Sequence, residues 1–312
     1  MTIVFFGTSG FAVPSLVKLG KFHDIAAVVT KPDKPKGRNL KPAPSAIKIK
    51  ADSLDIPVIS IDDMPAAQAL AALKKYKADL FVVIAYGKIL SREIFSLPKL
   101  YSIGLHASLL PKYRGASPIN WAILNGEEKT GVTVFKLSGK MDAGEIIIQK
   151  DADILSLDNA ETLSEKLSNL GANLLVRAAD SIEEGKAPLT GQDESLATFT
   201  PKLKKEDGRI EWDKPAAEVH NKIRAFYGWP GAFSRLNGRT IKIWVAEPAD
   251  LPAQKGLVPG RIAALDSGGI IAACGKGFLR IKELQAEGGK RMKAKDYVLG
   301  NKVSTGDFLE LQ

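Results

Sequence analysis

The first half of the chain alternates short apolar runs with segments that have a helical period. Strand-like runs lie at Thr2–Phe6, Ile25–Thr30, Leu80–Ala85, Ser102–Leu105 and Val132–Leu137. The third of these, Leu-Phe-Val-Val-Ile-Ala, has no polar alternation, which is typical of a strand buried on both faces. The β-α-β order predicts an α/β domain built on an open parallel sheet with helices on both faces. Ligands of such sheets bind beyond the carboxyl ends of the strands.

The pattern changes after a long helical segment, Ala160–Glu184. Residues 189–208 are polar and weakly patterned, which indicates a linker. Beyond them, a helix at Pro215–Phe226 precedes five short strand-like runs broken by Gly and Pro. These runs are Ala232–Leu236, Thr240–Ala246, Arg261–Leu265, Gly269–Ala273 and Phe278–Glu283. Five short strands favour a small barrel such as an OB-type fold. We therefore predict domains at 1–188 and 209–312, joined by the linker.

Charge separates the two predicted domains. The chain has 312 residues and a formal net charge of +9. Residues 201–312 carry 20 Lys and Arg against 13 Asp and Glu, so +7 of the charge lies there. A basic segment of this kind fits a polyanionic partner such as nucleic acid, or simply a solvated basic surface.

Cysteine content and hydropathy narrow the class of protein. The single cysteine, Cys274, excludes an intrachain disulfide. No apolar run approaches the roughly 20 residues that cross a bilayer. These features predict a cytoplasmic protein that does not enter a membrane.

His106 and Asp142 are the side chains best placed for chemistry. His106 ends the strand-like run Ser102–Leu105, and Asp142 lies in a polar cluster between two other strand-like runs. Neighbouring strands place their loops side by side, and a carboxylate beside an imidazole fixes the orientation of the ring. From the residues alone, a structural histidine and an ordinary turn aspartate stay open. The three histidines and one cysteine show no zinc spacing, so no metal is expected.

A basic loop follows the second predicted strand. Residues 31–41 contain four lysines and one arginine against one aspartate. Pro and Gly in this stretch are incompatible with a regular helix or a central strand. Such a loop beside an active site grips phosphates, and elsewhere it is a solvated surface loop. The composition does not distinguish the two.

Two motifs carry a resemblance to a known family. The stretch His106–Arg114, His-Ala-Ser-Leu-Leu-Pro-Lys-Tyr-Arg, resembles the signature of folate-dependent formyltransferases. Gly-Val-Thr at 131–133 and Asp-Ala-Gly at 142–144 resemble the second motif of that family. The resemblance implies a Rossmann-like domain that holds 10-formyltetrahydrofolate, with His106 and Asp142 as catalytic residues. The folate-binding residues that it implies are Ser108, Leu109, Leu110 and Pro111.

Within this family the chain is most similar to the members that act on methionyl-tRNA. This similarity covers nearly the whole chain, including 6–12, 32–38, 204–212 and 229–232. It implies transfer of the formyl group from 10-formyltetrahydrofolate to the amino group of initiator methionyl-tRNA, by a monomer. It also implies an OB-type C-terminal domain that binds tRNA. The implied tRNA contacts of the basic loop are Lys36, Arg38 and Lys41.

Position 104 departs from the family pattern. The family has an asparagine two residues before the histidine, and this chain has Gly104. The asparagine side chain would donate to the oxyanion of the tetrahedral intermediate, and losing one such donor costs roughly 100- to 1,000-fold in rate. Three alternatives follow: a 10-formyltetrahydrofolate hydrolase, a formyltransferase for another amine, and a catalytically impaired tRNA-binding homologue.

Overall fold

A computed structural model describes residues 1–36, 41–252 and 258–310 of the chain. The chain divides into two compact units. The first consists of Met1–Pro118, Lys129–Asp153 and Ser164–Thr200, and the second of Ile119–Glu128, Ile154–Leu163 and Pro201–Gln312. None of the helices in the described ranges is long and apolar enough to span a membrane. The predicted domain limits at 188 and 208 stay predictions.

A seven-stranded sheet forms the centre of the first unit. The strands of this unit are β1 Thr2–Gly7, β2 Asp24–Val29, β3 Lys34–Lys36, β4 Lys41–Ala43, β5 Val58–Ile59, β6 Leu80–Ile84, β7 Tyr101–His106, β8 Arg114–Gly115, β9 Lys129–Lys136, β10 Ile146–Asp153 and β11 Phe199–Thr200. The sheet order is β10-β9-β7-β6-β1-β2-β5. Strands β7, β6, β1, β2 and β5 pair in parallel, whereas β9 and β10 are antiparallel. The predicted Rossmann-like parallel sheet is confirmed.

Eight helices accompany the strands in the described ranges. They are α1 Val13–Leu19, α2 Ala46–Asp52, α3 Ala66–Lys74, α4 Arg92–Phe95, α5 Pro118–Leu124, α6 Ala160–Glu183, α7 Ala216–Ala225 and α8 Ala294–Gly300. Helix α6 begins where the Oδ1 of Asn159 accepts the N–H groups of Glu161 and Thr162, at 2.9 and 3.1 Å. It ends before Gly185, whose φ of +67° suits a glycine after a helix.

The second unit is built on an antiparallel sheet. Its strands are β12 Ala232–Leu236, β13 Arg239–Ala249, β14 Ile262–Asp266, β15 Gly269–Ala273, β16 Phe278–Ala286 and β17 Met292–Lys293. The order is β12-β13-β16-β15-β14, with β17 paired to β16. The segment at 308–309 bridges Leu236 at the end of β12 and Arg261 just before β14, so it joins the two edges of the sheet. This is the predicted C-terminal domain of short antiparallel strands.

A buried tryptophan anchors the core of the second unit. Trp212 is fully buried, and its indole N–H donates to the Oγ of Ser234 at 3.0 Å. The same cluster contains Ile223 of α7, Ile241, Ile243 and Ala246 of β13, and Leu279, Ile281 and Leu284 of β16. The register of β13 against β16 shifts between Ile243 and Ala246, so the core positions of these strands do not keep a strict alternation.

Candidate active site

His106 lies at the carboxyl end of a central strand. It is the last residue of β7, which pairs with β6 on one side and β9 on the other. The residue is 8% exposed. Because β7 and β6 pair in parallel, the carboxyl ends of these two strands lie at the same edge of the sheet. That is the edge of an open α/β sheet where ligands bind.

Asp142 lies in the turn that connects β9 and β10. Its Oδ2 lies 3.7 Å from the Nδ1 of His106, so the structure brings the two predicted catalytic residues together. The same oxygen accepts the backbone N–H of Gly115 at 2.8 Å. Asp142 has a φ of +50°, which is uncommon for a residue with a side chain. The turn therefore holds this carboxylate in one place at some conformational cost.

The second nitrogen of the imidazole also has a partner. The Nε2 of His106 lies 2.7 Å from the carbonyl oxygen of Tyr113. A carbonyl only accepts hydrogen bonds, so Nε2 carries a hydrogen and Nδ1 is the nitrogen that faces Asp142. Both ring nitrogens of His106 therefore face oxygen atoms of the protein.

The four residues predicted to bind folate form a tightly held loop. Ser108 is fully buried, and its hydroxyl donates to the carbonyl of Lys112 at 2.6 Å. Leu110 is 3% exposed, its N–H donates to the Oγ1 of Thr133 at 3.1 Å, and the side chain of Gln149 donates to its carbonyl at 2.8 Å. Leu109 and Pro111 are half-buried. The side chains of Ser108 and Leu110 are thus buried and stabilise the conformation of the loop.

An aromatic ring fills the space above Gly104. Gly104 of β7 and Phe135 of β9 are cross-strand partners. A Cβ built on Gly104 would lie 2.7 Å from Cε1 of Phe135 and 3.2 Å from Cδ1 of Leu137. A glycine in a strand often marks such a close approach. At position 104 this chain therefore has a packed apolar contact.

The predicted tRNA-binding residues are only partly described. Lys36 and Lys41 belong to β3 and β4, which pair with each other as Lys36 opposite Lys41. Arg38 lies outside the described residues. Among the residues that the structure describes, no group of three or more His, Cys, Asp or Glu is placed to hold a metal ion.

A set of polar side chains beside Asp142 is not predicted from the sequence. Gln192 and Glu194 fall in the predicted linker, yet both bind the buried guanidinium of Arg114. Arg114 is 2% exposed. The stretch has no apolar periodicity, so only its Gln-Asp-Glu cluster hinted at a specific role.

Two family models match the chain, one in its N-terminal part and one in its C-terminal part. The family described as formyl transferase matches residues 1–179, and the formyl transferase C-terminal domain matches residues 202–302. Among solved structures, a sugar 3N-formyl transferase named WlaRD has a TM-score of 0.66 at 22% identity, covering 92% of this chain and 97% of that chain. HypX from Aquifex aeolicus in complex with tetrahydrofolic acid has a TM-score of 0.63 at 20% identity, covering 96% and 46%. Such distant likeness supports the fold alone.

Curated relatives are much more similar and match along nearly the full length. The methionyl-tRNA formyltransferase of Geobacter metallireducens is 39% identical over 307 residues, which covers 98% of this chain and 97% of the relative. That of Methylobacillus flagellatus is 41% identical over 309 residues, covering 98% and 99%. The segments 1–179 and 202–302, which the two family models match, both lie within these full-length matches. The chain belongs to the methionyl-tRNA formyltransferase family.

Proposed function

We propose that this enzyme transfers the formyl group of 10-formyltetrahydrofolate to the amino group of initiator methionyl-tRNA. The observation that carries the proposal is the pair His106 and Asp142, 3.7 Å apart at the carboxyl end of β7. Near-full-length similarity to enzymes named for methionyl-tRNA supports the choice of acceptor. The basic C-terminal third, with 20 basic against 13 acidic residues from 201 onward, fits a polyanionic substrate.

The reaction needs one proton transfer and charge stabilisation. The methionyl amine attacks the formyl carbon to give a tetrahedral intermediate, and the bond from that carbon to the folate nitrogen then breaks. The amine loses one proton overall, and the folate nitrogen gains one. A positioned imidazole typically contributes about 10²–10⁴-fold to such a transfer. We assign this proton transfer to His106, with Asp142 stabilising the charged ring.

The oxyanion of the intermediate requires donors other than a side chain at position 104. Gly104 has none, and Phe135 and Leu137 occupy the space beside it. We therefore assign the stabilisation of the oxyanion to backbone N–H groups at this strand end. We infer that the chemical step of this enzyme is slower than that of a relative with a carboxamide donor, by up to roughly 100- to 1,000-fold.

We further propose that tRNA contacts both halves of the chain. In this view 1–188 is the folate-binding domain and 209–312 is an OB-type domain, with 189–208 between them. The edge-to-edge closure of the second sheet by the segment at 308–309 favours the OB-type assignment. Lys36, Arg38 and Lys41 would bind phosphates near the acceptor end. The enzyme would act as a monomer in the cytoplasm, where translation begins.

Labelled 10-formyltetrahydrofolate and charged initiator tRNA test the proposal directly. We expect label to appear on the methionyl group, and the rate at subsaturating tRNA should fall steeply with salt because phosphate contacts release counterions. Uncharged initiator tRNA is the matched control, since it offers the same phosphates without the amine. Release of free formate at the same rate without charged tRNA would instead identify a hydrolase.

A further inference from the structure

A segment that the sequence marks as a linker is fastened onto the candidate active site. We call residues 190–200 the strap. At one end, Thr190 exchanges two backbone hydrogen bonds with Ile146, at 2.8 and 2.9 Å. At the other end, β11 of the strap pairs in parallel with β8. Gly115 of β8 has a φ of +103°, and a Cβ there would lie 2.6 Å from the carbonyl oxygen of Thr200. The strap therefore pairs with β8, which belongs to the segment that follows His106.

Gln192 connects the strap to the Asp142 turn. Its Nε2 donates to the carbonyls of Asp142 and Gly144, at 2.9 and 2.7 Å. Its Oε1 accepts from the Nε and Nη2 of Arg114, at 3.1 and 2.7 Å. Carbonyls cannot donate and a guanidinium cannot accept, so this orientation of the amide is the one that satisfies all four contacts. Both ends of the Gln192 amide are thus used: the NH₂ group donates to the turn, and the oxygen accepts from Arg114.

A second residue of the strap, Glu194, also binds the guanidinium of Arg114. Its Nη1 and Nη2 donate to the two carboxylate oxygens of Glu194, at 3.0 and 2.7 Å. This bond lowers the pKa of the Glu194 carboxyl. A bidentate pair of this kind fixes direction as well as distance. Arg114 directly follows Tyr113, whose carbonyl accepts from His106 and whose N–H donates to the Oγ1 of Thr198 in the strap at 2.8 Å.

The contacts of the strap reach the neighbours of both proposed catalytic residues, His106 and Asp142. Asp142 has an unfavourable φ of +50°, and such residues persist only where their surroundings hold them. Gln192 holds the carbonyl of Asp142 itself and that of Gly144 two residues later. The neighbouring N–H of Gly115 fixes the carboxylate.

We propose that Gln192 is a positioning residue for catalysis, which keeps the carboxylate of Asp142 on His106 by tying down the backbone of the turn. The inference rests on the proposed function, because its kinetic consequence is read in formyl transfer. Misplacing a catalytic group by about 1 Å costs on the order of 100-fold in rate. Gln192 touches no reacting atom, so its effect runs through Asp142.

Gln192→Glu tests the donor end of the side chain selectively. Glutamate has the same length and still accepts from Arg114, but it cannot donate to the carbonyls of the turn. We expect kcat for methionyl-tRNA to fall by about 10- to 100-fold, with the KM values for folate and tRNA little changed. Ser195→Ala is the matched control in the strap, because the Ser195 hydroxyl donates only within the strap, to Asp193. It should keep wild-type kcat.

A double-mutant cycle with Asp142→Asn distinguishes positioning from general support of the fold. If Gln192 acts through Asp142, then Gln192→Glu should have little further effect in the Asp142→Asn background. An equal fall in both backgrounds would overturn the proposal, and so would wild-type kcat for Gln192→Glu. Failure of wild-type enzyme to formylate methionyl-tRNA would refute the proposed function instead.

The imidazole resonances of His106 give a readout that needs no turnover. The chain has three histidines, so a His106→Gln variant assigns its signals by their loss. We expect Gln192→Glu to move the ring ¹⁵N and ¹H shifts of His106, while those of His23 and His220 stay in place. Ser195→Ala should leave all three unchanged. Unchanged His106 shifts in Gln192→Glu would show that Gln192 does not position the catalytic pair.

Discussion

The ring of Phe135 occupies the space in which a side chain at position 104 would begin. A Cβ on Gly104 would lie 2.7 Å from Cε1 and 2.8 Å from Cζ of that ring. Real Cβ atoms do not approach ring carbons this closely, so one of the two groups has to move before a side chain fits. The glycine at position 104 and the packing of Phe135 beside it are therefore one structural feature of this chain.

Gly104→Asn alone should destabilise the protein without restoring a donor. Overpacking a well-filled core costs about 1–3 kcal/mol. We expect the free energy of unfolding in denaturant to fall by that amount, and formyl transfer to stay at or below the wild-type rate. A faster enzyme with unchanged stability would show that Phe135 does not block the position.

When the ring of Phe135 is removed, an asparagine at position 104 should increase the rate of formyl transfer. Phe135→Val keeps a residue that favours strands while clearing the space over Gly104. The kcat of Gly104→Asn/Phe135→Val should exceed that of Phe135→Val by at least tenfold, and by up to roughly 100- to 1,000-fold if the new carboxamide reaches the oxyanion. Phe135→Val alone is the reference, since it carries the same cavity without the donor. Equal rates in the two proteins would exclude position 104 from the chemistry.

Asp142→Asn should slow the chemical step and leave binding intact. Asparagine has the same size, and its oxygen still accepts the N–H of Gly115, but it carries no charge beside His106. We expect kcat to fall by about 10²–10⁴-fold with the KM for tRNA little changed. Steady-state kinetics at several tRNA concentrations separate the two parameters. A rise in KM with normal kcat would assign Asp142 to binding instead.

His220 makes the second unit less stable in mild acid. Burial, with Arg224 nearby, lowers the pKa of His220 to about 4 against weaker opposing effects of the Ala246 backbone and Glu247. The unfolded chain binds a proton near pH 6.5, whereas the folded one does not until about pH 4. The contribution of neutral His220 is therefore full above about pH 6.5 and is lost as the pH falls towards 4.

Comparing His220→Gln with wild type isolates this effect. Carboxylates titrate in both proteins, so the difference between them reports the histidine. Urea unfolding followed by Trp fluorescence should show a larger loss of stability between pH 7.5 and pH 5 in wild type than in the variant. Equal losses would mean that His220 keeps an ordinary affinity for protons in the folded protein.

Cys274 should resist alkylation in the folded protein. It is the only cysteine and is 7% exposed. Burial raises the pKa of its thiol to about 12, and only the thiolate reacts. At pH 8, iodoacetamide should modify the guanidinium-unfolded chain and leave the folded chain intact, as read by mass spectrometry. Rapid modification of the folded chain would place Cys274 at the surface.

The sequence predicts the sheets well because their signal is local. The unbroken apolar run at Leu80–Ala85 requires burial on both faces, and β6 lies in the middle of the sheet for that reason. The short apolar runs at 240–246 and 278–283 likewise lie within β13 and β16 of the second sheet. Periodicity within a few residues carries this information.

The hydrogen bonds that Gln192 and Glu194 of the strap make near Asp142 cannot be predicted in the same way. Gln192 reaches the Asp142 carbonyl from 50 residues away along the chain, and Glu194 reaches Arg114 from 80. Such contacts leave no period in the sequence, so the strap has the composition of a linker. Gly104 did carry a signal, because a glycine inside a strand indicates a close neighbour, but only the register of β7 and β9 identifies Phe135 as that neighbour.

Single-turnover formyl transfer by His106→Gln, beside a tRNA-binding measurement on the same protein, tests the central claim most directly. Charged initiator tRNA is mixed with excess enzyme and labelled 10-formyltetrahydrofolate, and label on the methionyl group is followed over time. We expect wild-type affinity for tRNA and a transfer rate lower than that of wild type by at least about 100-fold. A variant that transfers formyl at the wild-type rate would contradict it.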